Sequence, residues 1–377
     1  IARDLSCSET LTVWIVNGYQ LAVAVSLLPA AALAESLGLK RVYAFGLALF
    51  TAASLACALS GSIGLLVGSR VLQGVGGACM AALSGALVRS VYPREFLHKA
   101  FATIALAVAI SAATGPTLAA AVLSVATWPW LFLINLPIGL IAVPLFLRVA
   151  PHSPRRSFTF DWLGALLNVG ALGLGVLGVD ALGQKEPRWA GIEIGTGFLC
   201  AVMLYMQQRR QKAPMLPLDL LAIPLFSLSI LTSVCAYAAQ ILAYVALPFL
   251  FQTVMHQSAV TTGLLVTPWP LLVAVAAPFA GRLAARHPAS VLSSIGLTIL
   301  AAGLTMLSIM PAHPPFWDVA WRMGLCGIGF GFYQTPNNLT VMTSGPTTRS
   351  GAASGMLAVA RTMGWALGSA LVALVFG

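Results

Sequence analysis

Charged side chains are scarce in this 377-residue chain: Asp, Glu, Lys and Arg make up 8% of it, while 59% is hydrophobic and the mean hydropathy is +0.92. Soluble domains carry about 25% charged residues, so a water-soluble globular fold is excluded. No long apolar run alternates with period 2. That argues against a membrane barrel and leaves helices, because a backbone in lipid must satisfy its polar groups within its own segment. The six cysteines (Cys7, Cys57, Cys79, Cys200, Cys235, Cys326) form no C-x-x-C pair and read as packing residues rather than zinc ligands. His98, His152, His256, His287 and His313 are never four apart, so a helical metal pair is missing too. Gly173, Gly175 and Gly178 spell G-x-G-x-x-G, but inside the apolar run from Trp162 to Leu182 and without the strand a dinucleotide site needs. With no nucleophile and base set either, neither an enzyme, a cofactor nor a bound metal is expected, and no cleavable signal is visible.

What the chain does have is apolar length. Twelve stretches, each close to the ~20 residues that span a bilayer as a helix, fall near 13–34, 42–60, 64–88, 100–125, 130–148, 161–183, 189–207, 225–251, 260–281, 289–311, 317–343 and 352–377. The fold class read from them is an all-α, multi-pass membrane protein, solvated by the lipid bilayer. A net charge of +10 and a pI near 9.7 would point to nucleic acid in a soluble protein, but here the cations segregate by loop. Fourteen of the twenty, from Lys40 and Arg41 through to Arg349, fall on one side, and only Arg3, Lys185 and Arg188 on the other. The positive-inside rule makes the rich side cytoplasmic, places the first residue outside and removes nucleic acid as a partner.

The 35 glycines and 22 prolines suit membrane helices, where neighbours re-satisfy freed backbone groups and small residues allow close packing. The two ends of the chain also echo one another. Ala31-Ala-Leu33-Ala34 returns 250 residues later as Gly281-Arg-Leu283-Ala284; Arg70 with Gly74, Gly76 and Gly77 returns as Arg322 with Gly327, Gly329 and Gly331; Tyr92-Pro93 returns as Gly345-Pro346. Internal duplication of this kind is common in transporters. The halves are expected at 1–150 and 216–377, with two inserted, peripheral helices in 151–215.

Several segments also carry a resemblance. Ala31-Ala-Leu-Ala-Glu35-Ser-Leu-Gly38-Leu-Lys40-Arg41 is similar to a loop motif G-x-L-A-D-R-x-G-R-K, with Ala31 for glycine, Glu35 for aspartate, and Ser36 and Leu39 for arginines. Leu66-x-x-x-Arg70-x-x-Gln73-Gly74-x-Gly76-Gly77-Ala78 looks like a fourth-helix motif. Gly115-Pro116 looks like the centre of a fifth-helix antiporter motif, with Ala119-Ala120 in place of G-G. Trp130-x-Phe132-x-Ile134-Asn135-x-Pro137-x-Gly139 and Phe158-x-Phe160-Asp161-Trp162-x-Gly164 fit the same pattern. Together they resemble the major facilitator superfamily over essentially the whole chain, and within it the fourteen-helix drug:proton antiporter branch (EmrB/QacA-like exporters).

That resemblance implies two pseudo-symmetric helical halves plus two inserted helices in a bacterial inner membrane. It implies alternating access, with protons exchanged for a small-molecule substrate that is lipophilic and, in some cases, cationic. A carrier for one specific metabolite, in uptake or export, is the alternative, and a periplasmic adaptor protein stays open as a partner. The loop motif belongs after the family's second helix but here follows the first, so the chain is expected to be a fragment, twelve helices of fourteen without the first and last. The family's proton-carrying carboxylate, placed in the first helix, would then be absent.

Arg70 lies about seven residues, or roughly 10 Å, into its helix, where an arginine costs ~2.5–3.5 kcal/mol and should face the bundle interior. By resemblance it tunes a carboxylate, and Asp180, near the outer end of an inserted helix, is the acid nearest the membrane interior; these two are the expected proton-coupling residues. Glu35, Gly38, Lys40, Arg41, Gly115 and Pro116 are the expected conformational switch. Pro116 removes a helical hydrogen bond and kinks its segment, while the resemblance sets Glu35 against the N-terminus of the penultimate helix near Ser350 and Gly351. Trp14, Asn17, Gln73, Tyr237, Gln240, Tyr244, Trp269, Tyr333, Asn337, Asn338 and Arg361 are the expected substrate cavity, an aromatic and amide surface suited to stacking and cation–π contact.

Overall fold

A computed structural model describes residues 4–5, 9–151, 160–183, 187–209, 211, 214–311 and 314–376. Twelve long helical segments run through the described residues, besides the single turns Arg94–Phe96, Leu218–Leu221 and Thr347–Arg349. They are α1 (Glu9–Leu37), α2 (Leu39–Ala58), α3 (Ile63–Val91), α4 (Leu97–Val125), α5 (Trp130–Val149), α6 (Trp162–Gly183), α7 (Pro187–Gln208), α8 (Pro224–Phe249), α9 (Ala259–Val266 continued by Pro268–Leu283), α10 (Ala289–Ser308), α11 (Phe316–Ser344) and α12 (Ser350–Phe376). Each coincides with one expected apolar stretch to within four residues. Eight are long and apolar enough, by length and composition, to cross a membrane.

The irregularities trace to proline. Pro137 cannot donate to the carbonyl four residues earlier, and α5 breaks there into Trp130–Leu133 and Asn135–Val149. Pro268 and Pro270 follow Thr267, where α9 breaks and restarts with proline in its first turn. After Pro248, α8 loosens into a π-turn over Leu250–Val254, with the N–H of Met255 reaching back to the carbonyl of Leu250 at 3.1 Å. In contrast, α4 stays helical through Gly115 and Pro116.

Two compact units form, and they cut across the sequence halves: Ile1–Leu87, Ala121–Leu221 and Thr347–Val359 make the first; Val88–Ala120, Ala222–Pro346 and Ala360–Gly377 make the second. The reason is visible in how each unit is built. In the first, a Cβ on Gly74 would lie 2.6 Å from the carbonyl of Tyr19 in α1, and one on Gly76 2.7 Å from the carbonyl of Gly46 in α2, so only glycine lets α3 approach both helices. The first turns of α12 join this cradle, with Gly351 and Gly355 packed on Ala31 of α1. In the second unit α11 repeats the construction, Gly327 against Trp269 of α9 and Gly329 against Gly296 of α10, and the first turns of α4 join it where Gly281 meets Ala102 and the carbonyl of His98. Each three-helix cradle thus takes the start of a helix that the sequence assigns to the other half.

These contacts also set the register of the repeat. Tyr19 and Gly46 correspond to Trp269 and Gly296, 250 residues on, while Gly74 and Gly76 correspond to Gly327 and Gly329, 253 on. By that register the counterpart of Arg70 is Met323, which is fully buried, and not Arg322, which lies one residue or about 100° round the helix.

The inserted helices α6 and α7 pack tightly through Gly178 against Ile194 and Gly197 against Gly175. Asn168 ties α6 to α1 by donating to the carbonyl of Val25 at 2.8 Å. Asp161 caps α6 by accepting from the Gly164 N–H (2.8 Å), and also accepts from Gln207 (2.9 Å) and Gln208 (2.6 Å) at the end of α7.

Candidate functional site

The first unit brings together the end of α1, the start of α12 and the segment before α8. Gly38 has φ 96°, a left-handed conformation that a side chain strains, and it turns the chain sharply from α1 into α2 so that Glu35 stays on α1's last turn. There Glu35 is buried, with Oε1 accepting the N–H of Ala352 at 3.0 Å and Oε2 meeting Arg349 Nη1 at 2.9 Å. Arg349, also buried, donates Nε and Nη2 to Asp219 at 2.9 and 2.7 Å and Nη2 to the carbonyl of Pro214 at 3.2 Å. One guanidinium therefore closes two carboxylates and a carbonyl onto the first turn of α12, where the helix dipole also favours negative charge. Burial by itself would lower the Arg349 pKa, but Asp219 and Glu35 outweigh it and raise it. Burial likewise pushes the Asp219 carboxyl up, but the hydrogen bonds and charge of Arg349 hold it below its ordinary value. Of the neighbouring switch residues, Lys40 donates to the carbonyl of Ala150 at 2.7 Å, and Arg41 is exposed.

Higher in the same unit Arg70 faces α1. Its Nε donates to the carbonyl of Ile15 (3.0 Å), its Nη1 to Gln73 (2.5 Å), and its guanidinium lies 4.2 Å from the centre of the Tyr19 ring and 5.7 Å from that of Phe132. Gln73 passes the network on to Ser54 at 2.6 Å. Among the described residues no carboxylate pairs with Arg70.

In the second unit Tyr333 donates to Ser233 (3.1 Å), Asn337 donates to Ser233 (2.8 Å) and to the carbonyl of Ser229 (3.3 Å), and Gln334 donates to Tyr237 (2.8 Å). Trp269 is fully buried beneath Gly327, with Tyr244 edge-on at 5.1 Å. Gln73, Tyr237, Trp269, Tyr333 and Asn337 are thus packed inside their own units, at 5% exposure or less. Trp14, Asn17, Gln240, Tyr244, Asn338 and Arg361 keep a partly exposed face. Gly115 has open space where a Cβ would stand. The side chains of Asp180 and Pro116 lie outside the described residues.

Residues 1–369 match the Major Facilitator Superfamily. The chain belongs to that superfamily. It is 46% identical, over its whole length and 83% of the relative's, to the uncharacterized transporter YebQ of Escherichia coli. It is 34% identical to the multidrug resistance protein Stp of Mycobacterium tuberculosis and 26% identical to the riboflavin transporter RibZ of Clostridioides difficile, spanning 70% and 82% of their lengths. The structure of the human organic anion transporter MFSD10 shares its fold, at TM-score 0.68 and 17% identity over 96% of this chain and 77% of that one. The protein is a multi-pass membrane transporter of this superfamily.

Arg349 and Asp219 are not among the site residues expected from the sequence, where Arg349 counts only as one of the cytoplasmic cations. A signal was available: Arg349 stands directly before the Ser350-Gly351 start of α12 against which Glu35 was expected, and a buried acid there needs a cation.

Proposed function

We propose that the chain is a proton-coupled exporter of small, lipophilic molecules, of the fourteen-helix drug:proton antiporter type, working by alternating access. A central site opens to one side of the membrane and then to the other, and inward proton flow drives the outward step. The observation that carries this reading is the capture of the Glu35 carboxylate by Arg349 and the Ala352 N–H. It makes the loop motif a latch that holds one conformation and must release for the other. Kinship with a multidrug resistance protein supports export, and Arg70, set among polar and aromatic groups with no carboxylate partner among the described residues, supports a fixed charge free to tune a protonating group. One proton crossing ~100 mV yields ~2.3 kcal/mol and each pH unit about 1.4 kcal/mol more, enough for a several-hundredfold gradient of a neutral substrate.

Glu35→Gln keeps the shape and removes the charge that faces Arg349. Efflux of a fluorescent substrate from energised cells is expected to fall at least fivefold at normal membrane abundance, and an uncoupler should abolish the native activity. Efflux unchanged by the substitution would reject the latch; efflux unchanged by the uncoupler would reject antiport. A carrier for one specific metabolite is the second reading, favoured by kinship with a riboflavin transporter; saturation by one compound out of a chemically mixed panel would select it.

A further inference from the structure

Arg361 is a half-buried cation the latch does not use. It stands about 16 Å along α12 at 1.5 Å per residue, deep enough that its charge needs a partner or a wet cavity. Its guanidinium lies 5.5 Å from the centre of the Trp365 ring, and its Nε is buried with no hydrogen-bond partner. Four acids are engaged elsewhere: Glu35 and Asp219 with Arg349, Asp318 with Arg322, Asp161 with Gly164, Gln207 and Gln208. Among the described residues no ion pair reaches it.

Its surroundings add donors and rings within the second unit. Tyr237 stacks edge-on against Trp365 at 6.2 Å and against Phe330 at 5.4 Å. The Tyr237 oxygen accepts from Gln334 at 2.8 Å, which leaves its O–H to donate. A guanidinium and a phenol with donors to spare, beside aromatic ring edges and with no ion-paired acid among the described residues, suit a planar oxyanion on an aromatic body. An aromatic cation would find the wrong sign of charge there, and a buried donor left unpaired calls for an acceptor.

We propose that Arg361, Tyr237 and Trp365 bind the carboxylate end of an aromatic organic acid, which makes that class, rather than lipophilic cations, the preferred substrate. This rests on the exporter reading and adds the substrate class to it. Three probes on one naphthalene body, the first two isosteric, test it on the purified protein by calorimetry: 1-naphthoate, 1-naphthamide and 1-naphthyltrimethylammonium. Naphthoate is expected to bind at least tenfold more tightly than either of the others. Arg361→Gln should weaken naphthoate at least tenfold and naphthamide less than twofold, with Arg361→Lys in between because it keeps the charge without the fork. Tyr237→Phe, which keeps the ring, should weaken naphthoate several-fold and stands in if the Gln variant does not fold. Absent naphthoate binding, ammonium binding as tight as naphthoate, or naphthoate binding indifferent to both Arg361→Gln and Tyr237→Phe would overturn the proposal. Proteoliposomes separate the two claims: naphthoate that binds as expected but is not moved by a proton gradient rejects the exporter reading and supports the binding site.

Discussion

The two units are built alike and locked differently. In both, a glycine-rich helix is pressed onto two neighbours, and the first turns of a fourth helix close against the end of the first one. In the first unit that closing point carries Glu35, Ala352 and Arg349, tied further to Asp219. By the same register the second unit has Ala285, Lys99 and Phe96, a set that contains no carboxylate. The shared cradle is therefore the scaffold, and the ion cluster is an addition to one copy of it. A latch of the kind proposed above is better placed on one side of a pseudo-symmetric machine than on both, because a single lock can be opened without its mirror image resisting.

The arginines diverge in the same way. Arg70 in α3 meets carbonyl, amide and rings, whereas Arg322 in α11 is paired with Asp318 one turn earlier at 3.0 Å and also donates to the carbonyl of Met306. A pair four residues apart on one helix neutralises itself locally; Arg70, which no carboxylate meets among the described residues, stays responsive to what arrives.

The largest effect should come from removing the lock's cation. Arg349→Leu leaves two carboxylates facing one another, one of them buried, and is expected to destabilise the first unit by about 3–5 kcal/mol. The matching change in the second unit, Phe96→Ala at an exposed position, should stay within about 0.5 kcal/mol. Thermal unfolding of the purified variants in detergent measures both, and equal losses would break the asymmetry.

The scaffold predicts the opposite pattern, equal effects in the two units. Gly76→Ala and Gly329→Ala each drive a methyl into backbone of the neighbouring helix, and each should cost about 1–3 kcal/mol. Gly64, at the start of α3, has nothing within 4 Å of a Cβ, so Gly64→Ala should be neutral or stabilise by up to ~1 kcal/mol through the unfolded chain. Unequal losses at Gly76 and Gly329 would mean that the repeat is one of sequence and not of packing.

Much of this was legible in the residues because the constraints were local. Apolar length located all twelve helices, since lipid leaves a long apolar segment no other hydrogen-bonded state. The glycine spacings identified the packing helices, and the loop motif placed Glu35 near Ser350 and Gly351. What escaped was long-range or register-dependent. Pairing Arg70 with Arg322 followed letters, while the glycine contacts set the true register one residue away. Asp219 and Arg349 are 130 residues apart in sequence, and nothing in either neighbourhood announces the other. The amide and aromatic residues expected to line a cavity divide into packed and partly exposed sets, because polarity inside a bundle is satisfied by neighbours as readily as by a ligand.

The smallest effect, and the finest test of the lock, concerns pH. Asp219 is held below its ordinary pKa by Arg349, so its contribution to stability is complete above the unfolded value of about 3.9 and is lost only as pH falls through the lower folded value. Its carboxylate is about half exposed, which screens the interaction and keeps the effect small. The difference in melting temperature between the native protein and Asp219→Asn should accordingly stay constant from pH 8 to pH 5 and shrink only below about pH 4. The ion cluster would then be insensitive to protons near neutral pH, and under the proton-coupled reading proposed above coupling would enter elsewhere in the protein. A difference that closes between pH 6 and 7 would instead make the Asp219–Arg349 pair itself a proton sensor.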